Sequence, residues 1–500
     1  MPFDQPTPSA PVEIVSRPLP RIIQGGMGIG VSGWRLANAV SRLGQLGVVS
    51  GTGLETVFVR RLQDGDAGGH LRRAMAQFPV PGVAAEVLGQ YFRPEGLPPG
   101  TPYRLLPLQR HPLDVPRQRF SMLAAFVEVY LAKEGHDGVV GMNLLTKVQI
   151  ANLPLLYGAM LAGVDYILMG AGIPKEIPGA LDAMAEHRPA ALRFDVEGSA
   201  PDEAEFLRFD PADHLDAAPA TLRRPSFLPI VASHSLATVL ARKASGRVDG
   251  FVIEGPTAGG HNAPPRAEAP RNERGEPVYG PRDEVDLAKM RELGLPFWLA
   301  GGAGRPDRLH EALREGAAGI QVGTLFAFSD ESGMAAEIKR SVLAAVARGE
   351  VDVYTDADAS PTGYPFKVVQ WAEDPARGVA RERVCDMGYL RVAYRTPEGK
   401  IGYRCASEPE ELFVKKGGKP EETTGRRCLC NSLLATVGHA QVREDGMAEP
   451  PVVTSGDDLK VLGGFLAGRT HYAAGEVVAW LLGTPPPGAP AGGEARAADA

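Results

Sequence analysis

Residues 251–261 read FVIEGPTAGGH, an apolar run closed by Glu254 and followed by a glycine-bearing turn that presents one histidine, His261. Two further stretches repeat the pattern: PFWLAGGAG at 296–304 and GIQVGTLF at 319–326. Each is a short strand ending in glycines, and the intervals leave room for a helix and a return. Runs that are apolar almost throughout, rather than alternating, mark parallel strands buried on both faces. Working outward, strand starts fall at Arg21, Gly47, Gly138, Asp165, Leu228, Asp249, Pro296 and Gly319, with helical spacing after several of them, as in Trp34 to Leu43 and Leu236 to Ala244. Eight β/α units predict an α/β fold of the (β/α)8 TIM-barrel type. An open dinucleotide-binding sheet is disfavoured, because the GMGIG after the first strand lacks the acidic residue that such a fingerprint needs on the next strand.

The chain of 500 residues exceeds one ordinary domain. The expected organisation is an extended segment over 1–20, a barrel over 21–348 with a long insertion at 56–137 after strand 2, a C-terminal cysteine-containing subdomain over 349–482 with terminal helices, and a disordered tail over 483–500. Within the insertion the spacing predicts an arginine-dense helix over Val57 to Phe78, a proline-rich middle over Pro94 to Pro116, and a helix over Arg119 to Glu134. Further along, a polar loop is expected near 195–226, a hairpin near Asn272 to Tyr279, and a closing helix over Met334 to Ala347.

Composition excludes several partner classes. Sixty acidic against 53 basic residues give a net charge of −7, which disfavours nucleic-acid binding. The first twenty residues lack the basic start and apolar run of a secretory signal, and no uncharged apolar stretch of about 18 residues occurs. A cytoplasmic protein without a membrane partner is expected, acting on a small molecule or an acyl thioester; oligomeric state is not legible.

The strand ends outline one site. Gly301-Gly302-Ala303-Gly304 and Gly323-Thr324 lie at the ends of the last two strands, where glycine lets backbone N–H groups approach a phosphate and a helix N-terminus adds a favourable dipole. Gly25, Gly26 and Met27 after the first strand would lie close to a flat ring, with Asn143 and Ser233 as hydrogen-bonding side chains and Gly259 and Gly260 before the histidine. Taken singly, each polar residue suits a turn or a helix cap equally well. His261 shares that rim, and a neutral imidazole is a suitable acid or base near pH 7. His234, directly after Ser233, is a second histidine there, with a helix start as its alternative role.

With these motifs in order, IIQGGMGIGVSGWRLANAVSRLGQLG, GMNLL, EGPTAGGH, LAGGAG and GIQVGTLF, the chain resembles the nitronate monooxygenases, formerly called 2-nitropropane dioxygenases. Related flavin-dependent enoyl-thioester reductases share the AGGH and GIQVGT elements. The resemblance implies a barrel holding non-covalent FMN, with 301–304 and 323–324 at the phosphate, Gly25 to Met27 and Asn143 near the ring, and His261 as the acid or base. It implies oxidation of an acidic carbon compound such as an alkyl nitronate by O2, or alternatively reduction of an enoyl thioester by NAD(P)H through FMN. The long insertion, the NAPPR that follows the histidine and the long C-terminal stretch depart from the family pattern.

All four cysteines, Cys385, Cys405, Cys428 and Cys430, fall in that C-terminal stretch. Four thiolates could hold zinc or an iron–sulfur cluster. The spacing contains no CxxC, so a reactive CxC pair at a helix start and four ordinary cysteines remain alternatives. A flavin-binding protein whose cysteine module serves electron transfer or docking is the corresponding third function.

Overall fold

Eight parallel strands form one sheet: β1 (Ile22–Gln24), β2 (Gly47–Ser50), β3 (Val140–Leu145), β4 (Tyr166–Gly170), β5 (Ser226–Val231), β6 (Phe251–Glu254), β7 (Phe297–Ala300) and β8 (Gly319–Val322). The structure is a computed structural model and describes residues 18–200, 202–215, 220–266, 270–379 and 381–484. Neighbours in sequence are neighbours in the sheet, and β8 pairs with β1 through Ile22↔Ile320 and Gln24↔Val322. Backbone bonds from Gln24 N to Leu46 O (2.9 Å) and from Leu46 N to Ile22 O (3.0 Å) join β1 to the approach of β2. The sheet therefore closes into the expected barrel, and every predicted strand start lies within two residues of an observed strand.

Strand alternation divides the core in two. Ile23, Val48, Leu168, Leu228, Val252 and Trp298 fill the barrel interior, where the Trp298 indole donates to the Pro20 carbonyl at 2.7 Å. Their strand neighbours, among them Phe251, Ile253, Phe297 and Leu299, face the outer helices. Full burial of such a side chain stabilises by about 1.5–3 kcal/mol, which accounts for strands apolar on both faces.

The insertion after β2 is helical for much of its length. One long arginine-dense helix was expected, but the chain forms Leu54–Gln63 and His70–Met75, interrupted where Asp66, Gly68 and Gly69 take positive φ. Helix Val83–Tyr91 was not anticipated; Val115–Lys133 was, and Asp114 caps it by accepting from Arg117 N at 2.8 Å. This long helix packs on Trp34–Ser41 and Asn152–Leu161, so the insertion supplies part of the barrel's helical ring. The region read as a loop near 195–226 begins within a hairpin, with Ala190–Phe194 antiparallel to Glu205–Phe209. A tight turn forms at 271–277, where Asn272 N donates to Glu276 O.

Beyond the closing helix Ala336–Arg348, strands Asp352–Asp356 and Phe366–Gln370 pair, as do Val392–Arg395 and Ile401–Arg404. The second hairpin also pairs with Val196–Glu197 of the barrel's β4–β5 connection. Buried side chains such as Val369, Leu434, Leu462 and Val477 join the barrel's outer core. Arg60 of the insertion is buried against this stretch, donating to His439 O and Gln441 Oε1. The extended segment expected over 1–20 and the tail expected from 483 fall almost entirely outside the described residues. Among those described, no helix is long and apolar enough to cross a membrane.

Candidate functional site

The C-terminal ends of the strands surround a cavity of about 430 Å³, a size suited to a small molecule or cofactor. Gly25, Gly26, Met27, Asn143, Gly259, Gly260, His261, Gly301, Gly302, Gly323 and Thr324 all line it. Ser233, Ala303 and Gly304 do not. Ser233 caps helix His234–Lys243, its Oγ accepting from Leu236 N at 3.0 Å, and Gly304 N donates to Asp458 Oδ2 at 3.1 Å. The glycine turn thus offers Gly301 and Gly302 to the cavity and commits its last N–H to the protein.

Two glycines are required by geometry. A Cβ at Gly26 would press on Asn143 Cβ and lie 2.9 Å from Val48 Cγ1, whereas Gly301 adopts φ +91° with Thr257 Oγ1 only 2.8 Å from a would-be Cβ. Both keep backbone at the cavity wall, which a larger residue would displace.

Among the described residues, three carboxamides that line the cavity have an oxygen left without a partner. Asn143 at β3 donates its Nδ2 to Gly26 O (3.0 Å) and Asn262 donates its own to Ala258 O (3.0 Å), while Gln321 projects from β8. Asn143 Oδ1, Asn262 Oδ1 and Gln321 Oε1 are buried and unpaired, and all three residues line the cavity. A buried acceptor without a donor is costly, so these oxygens suit a ligand that presents N–H groups. Glycine turns at one end and amide acceptors across the wall fit a phosphorylated heteroaromatic cofactor such as FMN.

His261 is partly buried and lines the cavity. Its Nε2 is 2.7 Å from Ser360 Oγ, which is itself 2.8 Å from Thr362 Oγ1, and the Phe366 ring meets the imidazole edge-on at 4.9 Å. Burial first and the nearby positive charge of Lys147 second push its pKa down to about 4. The ring is therefore neutral at pH 7 and can accept a proton. Glu254, the last residue of β6, shows the opposite effect: burial alone raises its carboxyl to about 7. Two proton-holding groups thus line one cavity with their pKa values shifted in opposite directions.

Much of the remaining rim comes from the C-terminal stretch. Thr454 Oγ1 accepts from Gly260 N (2.9 Å), Gly456 N donates to Thr324 Oγ1 (3.0 Å), and Asp457 N donates to Thr257 O (3.0 Å). With Asp458 on Gly304, the segment TSGDD at 454–458 ties together the turns after β6, β7 and β8. Sequence reasoning missed it, along with Glu254, Asn262, Gln321 and Ser360. For Glu254 a signal existed, a carboxyl at the end of an otherwise apolar strand; Ser360 and Thr454 carried none.

The metal expectation is corrected. Among the described residues no group of three or more His, Cys, Asp or Glu side chains is placed to hold a metal ion, and the four cysteines are free thiols. Burial raises Cys385, takes Cys428 to about 11 and Cys405 to about 12, and lifts Cys430 well above its usual range. Cys428 caps helix Leu429–Thr436, but desolvation outweighs any lowering by the helix dipole. Cys430 lines the cavity as a protonated, apolar-packed thiol.

Residues 203–357 match the family model for nitronate monooxygenase. No curated protein matches the chain in sequence. Among solved structures, FabK from Thermotoga maritima is 17% identical, with 93% of this chain and 91% of that chain covered and a TM-score of 0.46. Nitroalkane oxidase from Streptomyces ansochromogenes is 15% identical, covering 92% and 94% with a TM-score of 0.42. The enoyl reductase domain of MlnA from Bacillus amyloliquefaciens is 12% identical, covering 93% and 95% with a TM-score of 0.43. The match over residues 203–357 to nitronate monooxygenases, an oxidoreductase family, bears out the resemblance carried by the motifs.

Proposed function

We propose that the protein is an FMN-dependent oxidoreductase of nitronate monooxygenase type, acting with O2 on an acidic carbon compound such as an alkyl nitronate. The observation that carries this reading is the convergence on one cavity of His261, the glycine turns at 301–302 and 323, and unpaired oxygens on Asn143 and Gln321. Gly301, Gly302, Gly323 and Thr324 would hold the phosphate; Gly25, Gly26, Met27 and Asn143 would lie along the ring. FMN, when bound, supplies the electron transfer between substrate and oxygen.

The chain's own residues orient the substrate and handle its proton. His261, neutral at pH 7, would accept at Nδ1 the carbon proton of a substrate that arrives as the neutral nitro compound, while its Nε2–H donates to Ser360 Oγ at 2.7 Å; a nitronate arrives with that proton already removed, and His261 then positions it. A base held by a second group in this way keeps its tautomer and aim. Phe366, Leu390 and Leu433 line the cavity and limit water around the reacting carbon.

The test is made on purified protein loaded with FMN under anaerobic conditions. Addition of propyl-1-nitronate is expected to bleach the visible flavin band, and NADPH or NADH is expected to leave it intact. Rapid bleaching by a reduced nicotinamide, without a response to nitronate, would replace this reading with the enoyl-thioester reductase. A chain that neither carries nor takes up FMN would remove both.

A further inference from the structure

A helix face from the C-terminal stretch forms one wall of the cavity. Leu429, Leu433 and Thr436, at the i, i+4 and i+7 positions of helix Leu429–Thr436, line the cavity together with Cys430, and that spacing puts them along one side of the helix. The ends of the face are fixed by their neighbours. Leu429 packs in one cluster with Phe366, whose ring meets His261 edge-on. At the other end Ala335 N donates to Thr436 O at 2.9 Å, next to the cavity-lining Met334. The face therefore starts beside the proton-handling histidine and runs away from it for about 10 Å, at about 1.5 Å per residue.

The polar groups of this wall are spent inside the protein. Thr436 Oγ1 donates to the Val452 carbonyl at 2.7 Å, and Tyr389, also on the cavity wall, has its hydroxyl 2.8 Å from Thr56 Oγ1. Cys430 is a protonated thiol that packs as a small apolar group. The oxygens of Asn143, Asn262 and Gln321, by contrast, stand open to a ligand. A polar group laid along the helix would lose water without gaining a partner, whereas an alkyl group is stabilised there. We infer that the face of helix Leu429–Thr436 receives a straight aliphatic chain carried by the substrate and sets its length, with Leu433 at its middle as the selecting residue. A face of about 10 Å accepts about eight carbons of extended chain at bonds of about 1.5 Å. The helix lies outside the residues 203–357 that match nitronate monooxygenases, so this selection belongs to the chain's own C-terminal stretch. The chain site rests on the wall itself; that its occupant is the alkyl group of a nitronate rests on the function proposed above.

Straight-chain primary alcohols from butan-1-ol to decan-1-ol probe the wall without turnover. They are titrated calorimetrically into the full chain, with and without FMN, as parent, Leu433→Trp and Leu433→Gln. In the parent, affinity should rise about fourfold per methylene as far as about octan-1-ol and then level off. Leu433→Trp fills the middle of the face and Leu433→Gln makes it polar at nearly the same size. Either should weaken octan-1-ol at least about tenfold, the loss of about two buried methylenes, and butan-1-ol less; should the tryptophan variant fail to fold, the glutamine variant carries the comparison. In turnover with FMN, kcat/KM for 1-octyl nitronate relative to ethyl nitronate should fall by a similar factor in both. An affinity in the parent that does not grow with chain length, or one series shared by parent and variants, overturns the chain site. A parent that takes up no FMN, or oxidises neither nitronate, strikes the proposed function alone, since the alcohol series needs neither flavin nor reaction.

Discussion

The barrel strands and the chain after Glu350 meet at one cavity and build it by different means. From the barrel come backbone at glycine turns, the carboxamides Asn143 and Gln321, and the proton-holding pair Glu254 and His261. The C-terminal stretch contributes side chains that bond to those elements: Ser360 on His261, Thr454 on Gly260 and Asp458 on Gly304. The barrel therefore sets where a ligand lies, and the later chain sets the state of the groups that meet it. Substitutions on the two sides should then separate, with barrel changes acting on chemistry and C-terminal changes acting on stability and fine positioning.

The largest effect is expected at His261. His261→Ala should lower turnover of neutral 1-nitropropane about 10²–10⁴-fold, affect propyl-1-nitronate less because its carbon proton is already gone, and leave FMN uptake close to that of the parent, because the turns assigned to the phosphate lie on other strands. Loss of flavin together with activity would break the division between cofactor and proton roles.

Glu254 sharpens the comparison through pH. Its carboxyl ordinarily titrates near 4.5 and in the folded chain near 7. Between those values the folded state holds a proton that the unfolded state has released, so stability falls as pH rises; the penalty is absent below 4.5 and complete above 7. Its size is on the order of 3 kcal/mol at most, and less where water reaches the cavity. Glu254→Gln should match the parent in urea midpoint near pH 4 and exceed it near pH 8. Coincident midpoints at both pH values would mean that this carboxyl is not desolvated. His261 acts in the opposite direction, since its depressed pKa costs stability as pH falls from 6.5 towards 4, and comparing single variants keeps the two contributions apart.

A smaller, structural loss is expected from the C-terminal side. Asp458→Ala leaves the buried Gly304 N–H without its acceptor, a cost of about 1–3 kcal/mol partly offset by relief of a carboxylate that burial already disfavours. The urea midpoint should drop while KM for the nitronate stays within about twofold. A large change in KM with unaltered stability would move Asp458 from the scaffold into the substrate site.

What the sequence made legible follows the same divide. β6, β7 and β8 could be placed because strands buried on both faces are apolar runs, and their closing glycines are needed where backbone forms the cavity wall. The division of the first insertion helix at Asp66 to Gly69 was not visible, because Leu62, Leu71 and Met75 keep an apolar rhythm across a break made by positive-φ residues. Hairpin Ala190–Phe209 is short and carries exposed Arg193 and Arg208 in its alternation. Ser360 and Thr454 meet partners 99 and 194 residues away, a relation no local period encodes. The cysteines are another case: they lie close together in sequence, yet among the described residues they form no group placed to hold a metal ion.

Ser360 offers the finest separation between the two sides. Its Oγ accepts the Thr362 N–H at 3.2 Å and lies 2.8 Å from Thr362 Oγ1; for Nδ1 to be free to take the substrate proton, Nε2–H must donate to Ser360 Oγ, whose own hydrogen then goes to the threonine oxygen. An acceptor at that nitrogen fixes the neutral ring with its proton on Nε2 and strengthens when the ring is charged, so it favours protonation. Ser360→Ala removes one neutral hydrogen bond, worth about 0.5–1.5 kcal/mol. The His261 pKa should therefore fall further below its ordinary value, by about one unit or less, as read by nuclear magnetic resonance titration of the imidazole, with turnover down only several-fold. A rise in that pKa would show the opposite polarity, with Ser360 donating to Nε2, and would give His261 the other tautomer; no movement would remove the C-terminal chain from control of the barrel's base.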